Sequence, residues 1–224
     1  MSLLETDLIG AIVLLVVGIV AIVLALLLLK EYLASKKMYH LAWALSFLVL
    51  FISGVLIIFL GWTDTLENPL VPPVAALIPA GLAIGLLYAV FEEKQYGFYY
   101  AIYSLVLIAI LAVIKLMELD FASFVLMGVH IPSGLIISFL PVYTAFTKET
   151  EWTSIFFGIG GLLISFGGVL LAFATVEGME AILPFEDILV ILPFLLLVVG
   201  VFFALGIGIP SKWKVEIPVI SDLF

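Results

Sequence analysis

The stretch LIGAIVLLVVGIVAIVLALLLL, Leu8 to Leu29, holds no polar side chain, and Lys30-Glu31 closes it. As a helix its 22 residues rise ~33 Å at ~1.5 Å each. That is enough to cross the ~30 Å hydrocarbon core of a bilayer. With no water in that core, a crossing segment must satisfy its own backbone groups, and a helix does so. Six more apolar runs follow: Leu41–Leu60, Val71–Phe91, Phe98–Met117, Phe121–Phe146, Trp152–Ala174 and Ile188–Ile209. The expected fold is an all-α integral membrane protein, a seven-transmembrane-helix bundle with one transmembrane domain over residues 1–224. Composition agrees: 66% of the residues are hydrophobic and 11% charged, against ~45–50% and ~25% in soluble domains. Glu5 and Asp7 precede the first run where a signal peptide carries basic residues, so that run is read as a retained span.

The charges sort by side. All eight basic residues are lysines. The first, third and fifth links and the tail carry Lys30, Lys36, Lys37, Lys94, Lys148, Lys212 and Lys214. Lys115 alone falls at the opposite end. Lysine excess marks the cytoplasmic side, which puts the N-terminus outside and the C-terminus inside. The outer side then holds ten acids against one lysine, and the inner side seven against seven. Trp43, Trp62, Trp152 and Trp213 fall at span ends, as do Tyr96, Tyr99, Tyr100 and Tyr103. Amphipathic rings favour the headgroup level.

An offset of 114 residues brings Ser53–Phe59 (SGVLIIF) onto Gly167–Phe173 (GGVLLAF) and Pro79 onto Pro193. Spans one to three then match spans five to seven, with span four as the linker. An odd linker makes the halves parallel repeats. Shared apolar composition is the competing explanation of the match. The three-plus-one-plus-three layout resembles that of the sugar-transporting SWEETs and the microbial rhodopsins, in architecture alone, since none of their motifs is present. A retinal Schiff base needs a lysine inside span seven; Ile188–Ile209 has none, so retinal is excluded and no cofactor is expected.

Small residues let membrane helices approach closely. Gly81, Gly85 and Ala89 form such a seam in span three, and Gly161, Ser165, Gly168 and Ala172 in span six. The glycines of span six read either as packing contacts or as the mark of a mobile helix. Pro79, Pro132, Pro141 and Pro193 lie within spans, where each removes a helical hydrogen bond. Seven spans require the two prolines of span five to be kinks and not breaks.

Ionisable groups inside a membrane are the usual functional suspects. His130 lies in span five, in His130-Ile131-Pro132-Ser133-Gly134. The proline should free a carbonyl there, and Ser133 adds a hydroxyl. His130, Ser133 and Lys115 are the candidate ligand-binding residues. The plainer readings are a histidine satisfied inside the bundle, and a Lys115 that snorkels to water beside Glu118. Glu177, Glu180, Glu186 and Asp187 are candidate cation ligands, with a solvated acidic loop as the simpler account. Without cysteine, disulfides and thiolate metal sites are excluded. No acid stands mid-span, which argues against carboxylate-driven coupling. No catalytic residue is assigned; an enzyme would need further polar groups converging on His130 at ~3 Å.

These observations point to a multi-pass protein of the cell membrane. The expected function is a transporter or facilitator of a small neutral or apolar solute; the alternative is a receptor-like sensor or ligand-binding module working with a partner protein. The lipid bilayer and a small-molecule ligand are the expected partners, and nucleic acid is not. The sequence does not specify an oligomeric state. Orientation is testable because the chain has no cysteine of its own. Lys36→Cys and Lys148→Cys should react with a membrane-impermeant maleimide only after the cells are opened, and Asn68→Cys in intact cells; the reverse pattern would invert the topology.

Overall fold

The computed structural model describes residues 8–91, 95–119, 121–174 and 184–208. Among these, eight helices occur and no strand: α1 (Leu8–Ser35), α2 (Met38–Leu60), α3 (Trp62–Glu67), α4 (Val71–Val90), α5 (Tyr96–Leu116), α6 (Ala122–Phe146), α7 (Ser154–Ala174) and α8 (Phe185–Gly208). Six are long and apolar enough to cross a membrane, and α7, at 21 residues, is a seventh long helix whose described apolar stretch is Ser154–Gly168. The protein is a helical membrane bundle. Leucine, isoleucine, valine and phenylalanine cover its outside, as on Ile12, Leu15 and Ile19 of α1. Lipid accepts that surface without cost.

Two elements differ from the sequence expectation. The second link contains α3, because Gly61, at φ 82°, turns the chain sharply off the end of α2, and Asn68 stops the next helix with its Oδ1 accepting from Leu70 N at 3.0 Å. Glycine adopts that backbone region without penalty. Helix α1 runs six residues past Leu29, to Ser35, whose Oγ donates to Glu31 O at 2.7 Å. Lys36, Glu118 and Lys148 close α1, α5 and α6 in the left-handed conformation, at φ 58°, 55° and 59°. That is the usual helix-ending geometry, here built without glycine.

The long helices form a ring. Each of α1, α2, α4, α6, α7 and α8 packs on the next, α8 returns to α1, and α5 sits outside against α4 and α6. Exchanging the halves sends the α1–α2 contact to α6–α7, α2–α4 to α7–α8, and α4–α6 to α8–α1, and all six contacts are present. The contacts thus follow the approximate two-fold pattern that the 114-residue offset implies. Helix α5 carries the chain back across the membrane, so that α6 starts at the same end as α1.

Close approach is made by glycine. A Cβ on Gly85 would collide with the Trp43 indole, and one on Gly161 would lie 2.9 Å from the Ile137 carbonyl carbon. Gly158, Gly160, Gly167 and Gly206 are similarly filled by neighbours on α6 and α8 or by α7 itself. The glycines of α7 up to Gly167 are therefore packing contacts. All four intraspan prolines lie inside continuous helices, so Pro132 and Pro141 do not break α6.

The main core occupies the lysine-rich half of the ring. Trp43, Phe47, Phe157 and Phe203 meet there with Leu28, Leu86, Ile137 and Ile207. The Trp43 Nε1–H donates to Leu82 O at 3.1 Å, and its ring centroid lies 5.5 Å from that of Phe157. A smaller cluster, Ala76, Ala80, Ile108 and Val129, seats α5 on α4 and α6. Replacing Gly85 with leucine overfills the Trp43 notch and should cost about 1–3 kcal/mol, read as a lower melting temperature in detergent. Gly54→Ala should be neutral or mildly stabilising, because nothing lies within 4 Å of the Cβ position at Gly54.

Candidate functional site

Helix α6 carries two of the three sequence candidates, and the structure sends them to different neighbours. Ser133 is fully buried, and its Oγ hydrogen-bonds to Tyr100 OH of α5 at 2.8 Å. His130 is exposed. Its Nδ1 lies 3.2 Å from Leu126 O. A carbonyl only accepts, so Nδ1 is the donor in this contact. Among the described residues no other side chain bonds to His130. Lys115 lies half-buried in the last turn of α5. It makes no ion pair with Glu118, because Glu118 has already left the helix at φ 55° and is off the i+3 position. His130, Ser133 and Lys115 are thus not joined to one another.

The carbonyl freed by Pro132 has an owner. Pro132 has no N–H to give to residue i−4, Gly128, and Tyr103 OH donates to Gly128 O instead, at 2.7 Å. Membrane helices tolerate proline where a neighbour satisfies the freed group. Tyr100 and Tyr103 therefore both face α6 as hydrogen-bonding groups, while Tyr96 and Tyr99 stay exposed in the expected aromatic belt. Trp152 is exposed as expected; Trp43 is fully buried and belongs to the core, not to the headgroup level. Its Nε1–H is satisfied by Leu82 O, which makes that depth tolerable for an indole.

Of the candidate cation ligands, Glu177 and Glu180 lie outside the described residues, as does the Glu186 side chain; Asp187 is exposed in the first turn of α8. Among the described residues no group of three or more histidine, aspartate or glutamate side chains is placed to hold a metal.

Sequence reasoning missed a second polar cluster at the lysine-rich end. Thr150 Oγ1 donates to Thr144 Oγ1 at 3.0 Å and lies 2.8 Å from Ser154 Oγ, which reaches Pro141 O at 3.1 Å. These groups are buried and tie the end of α6 to the start of α7. In the other half, Ser35 Oγ lies 3.0 Å from Nδ1 of the buried His40. His40 and Ser154 are 114 residues apart, so each half carries a polar staple at the same place.

The offset also organises the middle of the ring. Trp43 pairs with Phe157, Leu50 with Ile164, and Gly54 with Gly168. Trp43 and Phe157 touch each other, and partners in a two-fold exchange can touch only at the axis. Below, the axis is closed by aromatic rings. Toward the other end, among the described residues, no heavy atom of another element stands within 4 Å of the Cβ position at Gly54 or at Gly168, and Gly168 is itself exposed. Leu50 and Ile164, between the two levels, are partly exposed though packed on the core.

No family model matches the chain, and neither a curated protein nor a solved structure does.

Tyr103→Phe leaves Gly128 O unsatisfied and should cost about 0.6–1.7 kcal/mol, the range of membrane-embedded hydrogen bonds, by reversible unfolding in mixed micelles. Tyr99→Phe should leave stability unchanged.

Proposed function

We propose that this protein is a transporter or facilitator of a small neutral or apolar solute in a cell membrane. One observation carries the reading: a ring of two matched three-helix halves is closed by Trp43 and Phe157 where the halves meet at the lysine-rich end. With the lysine-rich end cytoplasmic, that aromatic plug would be the inner gate. Alternating access would rock α1, α2 and α4 against α6, α7 and α8, parting the aromatic pair as the outer halves close. Among the described residues the halves meet along the α4–α6 and α8–α1 seams and at the Trp43–Phe157 and Phe47–Phe203 ring contacts, so such a rotation would repack those seams and the aromatic floor.

The chemistry of the ring suits uncharged cargo. Leu50 and Ile164 beside the aromatic floor are aliphatic, and an unpaired ion there would carry a desolvation penalty of several kcal/mol. No carboxylate stands mid-span in the sequence, which fits downhill facilitation better than proton or cation coupling.

The test is solute entry into proteoliposomes, followed by stopped-flow light scattering over a panel of small alcohols, amides and polyols. At least one should enter faster than in protein-free vesicles, and Gly54→Trp should remove most of that excess while the protein still melts cooperatively. His130→Ala should lower it. Equal rates with and without protein across the panel would sink the transporter reading and leave the receptor-like one.

A further inference from the structure

Four prolines stand inside long helices, and the carbonyls they free meet two different fates. In α6 both are covered. Gly128 O, freed by Pro132, accepts from Tyr103 OH at 2.7 Å. Ile137 O, freed by Pro141, packs on Gly161 of α7, 3.0 Å from where a Cβ would stand. In α4 and α8 the freed oxygens are Ala75 O, left by Pro79, and Leu189 O, left by Pro193. Among the described residues no side chain donates to either. A proline ring also presses on the carbonyl of residue i−4. Each of these two turns has lost its helical bond and gained no side-chain replacement.

The two uncovered prolines occupy equivalent places. Helix α4 begins at Val71 and α8 at Phe185, 114 residues apart, and the proline is the ninth residue of each. Both helices start at the acidic end, so the residues before the proline form the outer segment. The residues that each helix buries in the main core all follow its proline: Leu82, Ala83 and Leu86 on α4, and Val199, Phe203 and Ile207 on α8. Before it, α4 buries Pro73 and Ala76, and α8 buries Ile188 and Leu192, none of them in that core. Each proline thus divides an anchored inner segment from a thinly held outer one. Segments with few buried apolar contacts are the ones that move at low cost. Helices α4 and α8 also form the α4–α6 and α8–α1 seams between the halves.

We propose that Pro79 and Pro193 are a matched pair of hinges, at which the outer segments of α4 and α8 bend against inner segments fixed in the aromatic floor. Sharp helix kinks fall at proline, and hinge motions are absorbed by a few such positions. Val74 and Asp187 stand five and six residues before their prolines, ~8–9 Å along the helix. A change of ~20° in kink moves each by ~3 Å. In the transporter reading, on which this role rests, the two segments would be the outer gate opposite the Trp43–Phe157 plug. The bending itself requires no transport.

The absence of native cysteine makes the test direct. Nitroxide pairs are placed on exposed positions of the full chain in lipid nanodiscs, and their distances are read by double electron–electron resonance. Val74→Cys with Asp187→Cys spans the two outer segments. Leu15→Cys with Phe124→Cys spans the outer ends of α1 and α6, where no uncovered proline stands. Leu45→Cys with Val201→Cys spans the inner half. The Val74–Asp187 distribution should be several ångströms broader than the other two, or two-peaked. Pro79→Ala with Pro193→Ala should collapse it to one narrow peak and leave both reference pairs unchanged; either replacement alone should narrow it in part. A Val74–Asp187 distribution as narrow as Leu15–Phe124, or a breadth indifferent to both replacements, overturns the hinges. If the double replacement fails to fold, Tyr103→Phe supplies the converse. It uncovers Gly128 O and should broaden Leu15–Phe124; no change there overturns the claim that a covered carbonyl is what locks a proline turn. Bending alongside zero flux keeps the hinges and removes the gate, whereas solute flux without bending keeps the transporter reading and overturns the hinges.

Discussion

The Trp43 indole lying in the notch of Gly85 is the contact on which the ring closes. Lipid gives apolar helices no reason to associate, so the bundle is held by dispersion contacts and by polar groups with no other partner. Gly85 lets α4 come close enough for the indole to reach Leu82 O. The same ring then touches Phe157 across the axis and stacks near Tyr39. One large side chain thereby joins α2, α4 and α7. Glycine at the complementary places on α7 and α8 lets Phe157 and Phe203 complete the floor.

Polar groups follow the same economy. In water an unmade hydrogen bond is replaced by solvent; in hydrocarbon it is a loss of several kcal/mol. Pro132 frees a carbonyl and Tyr103 meets it; Ser133 is buried and Tyr100 meets it. Both phenols sit on α5, the helix outside the ring, and this fastens a linker that otherwise packs on two neighbours only. At the lysine-rich end, Thr144, Thr150 and Ser154 bind the α6–α7 turn, and Ser35 with His40 binds the α1–α2 turn. Each three-helix half is stiffened at the end where the axis is plugged. The opposite end has no comparable staple among the described residues, which is where a rocking motion would find room.

Much of this was legible from residues alone. The apolar runs required long helices, the 114-residue offset anticipated the paired contacts, and Pro132 announced a free carbonyl near His130. The sequence could not say that Tyr103 would supply the missing donor, because a tyrosine near a span end looks the same whether it meets lipid headgroups or another helix. Trp43 failed for the same reason: its position suggested the membrane surface, and only the notch at Gly85 takes it inward. His130 and Ser133, three residues apart, looked like one polar site, yet each is turned to a different neighbour.

By itself the sequence determined the class of the protein and the number of long helices, and it suggested a near-repeat of its halves, since hydrophobic length and periodic small residues act locally along the chain. Only the tertiary structure decided which glycines are filled and which stand empty. Gly81 and Gly85 are filled, Gly54 and Gly168 are open, and nothing in the residue type distinguishes them. That depends on what the neighbouring helix places opposite, and it is there that the ring acquires its closed end.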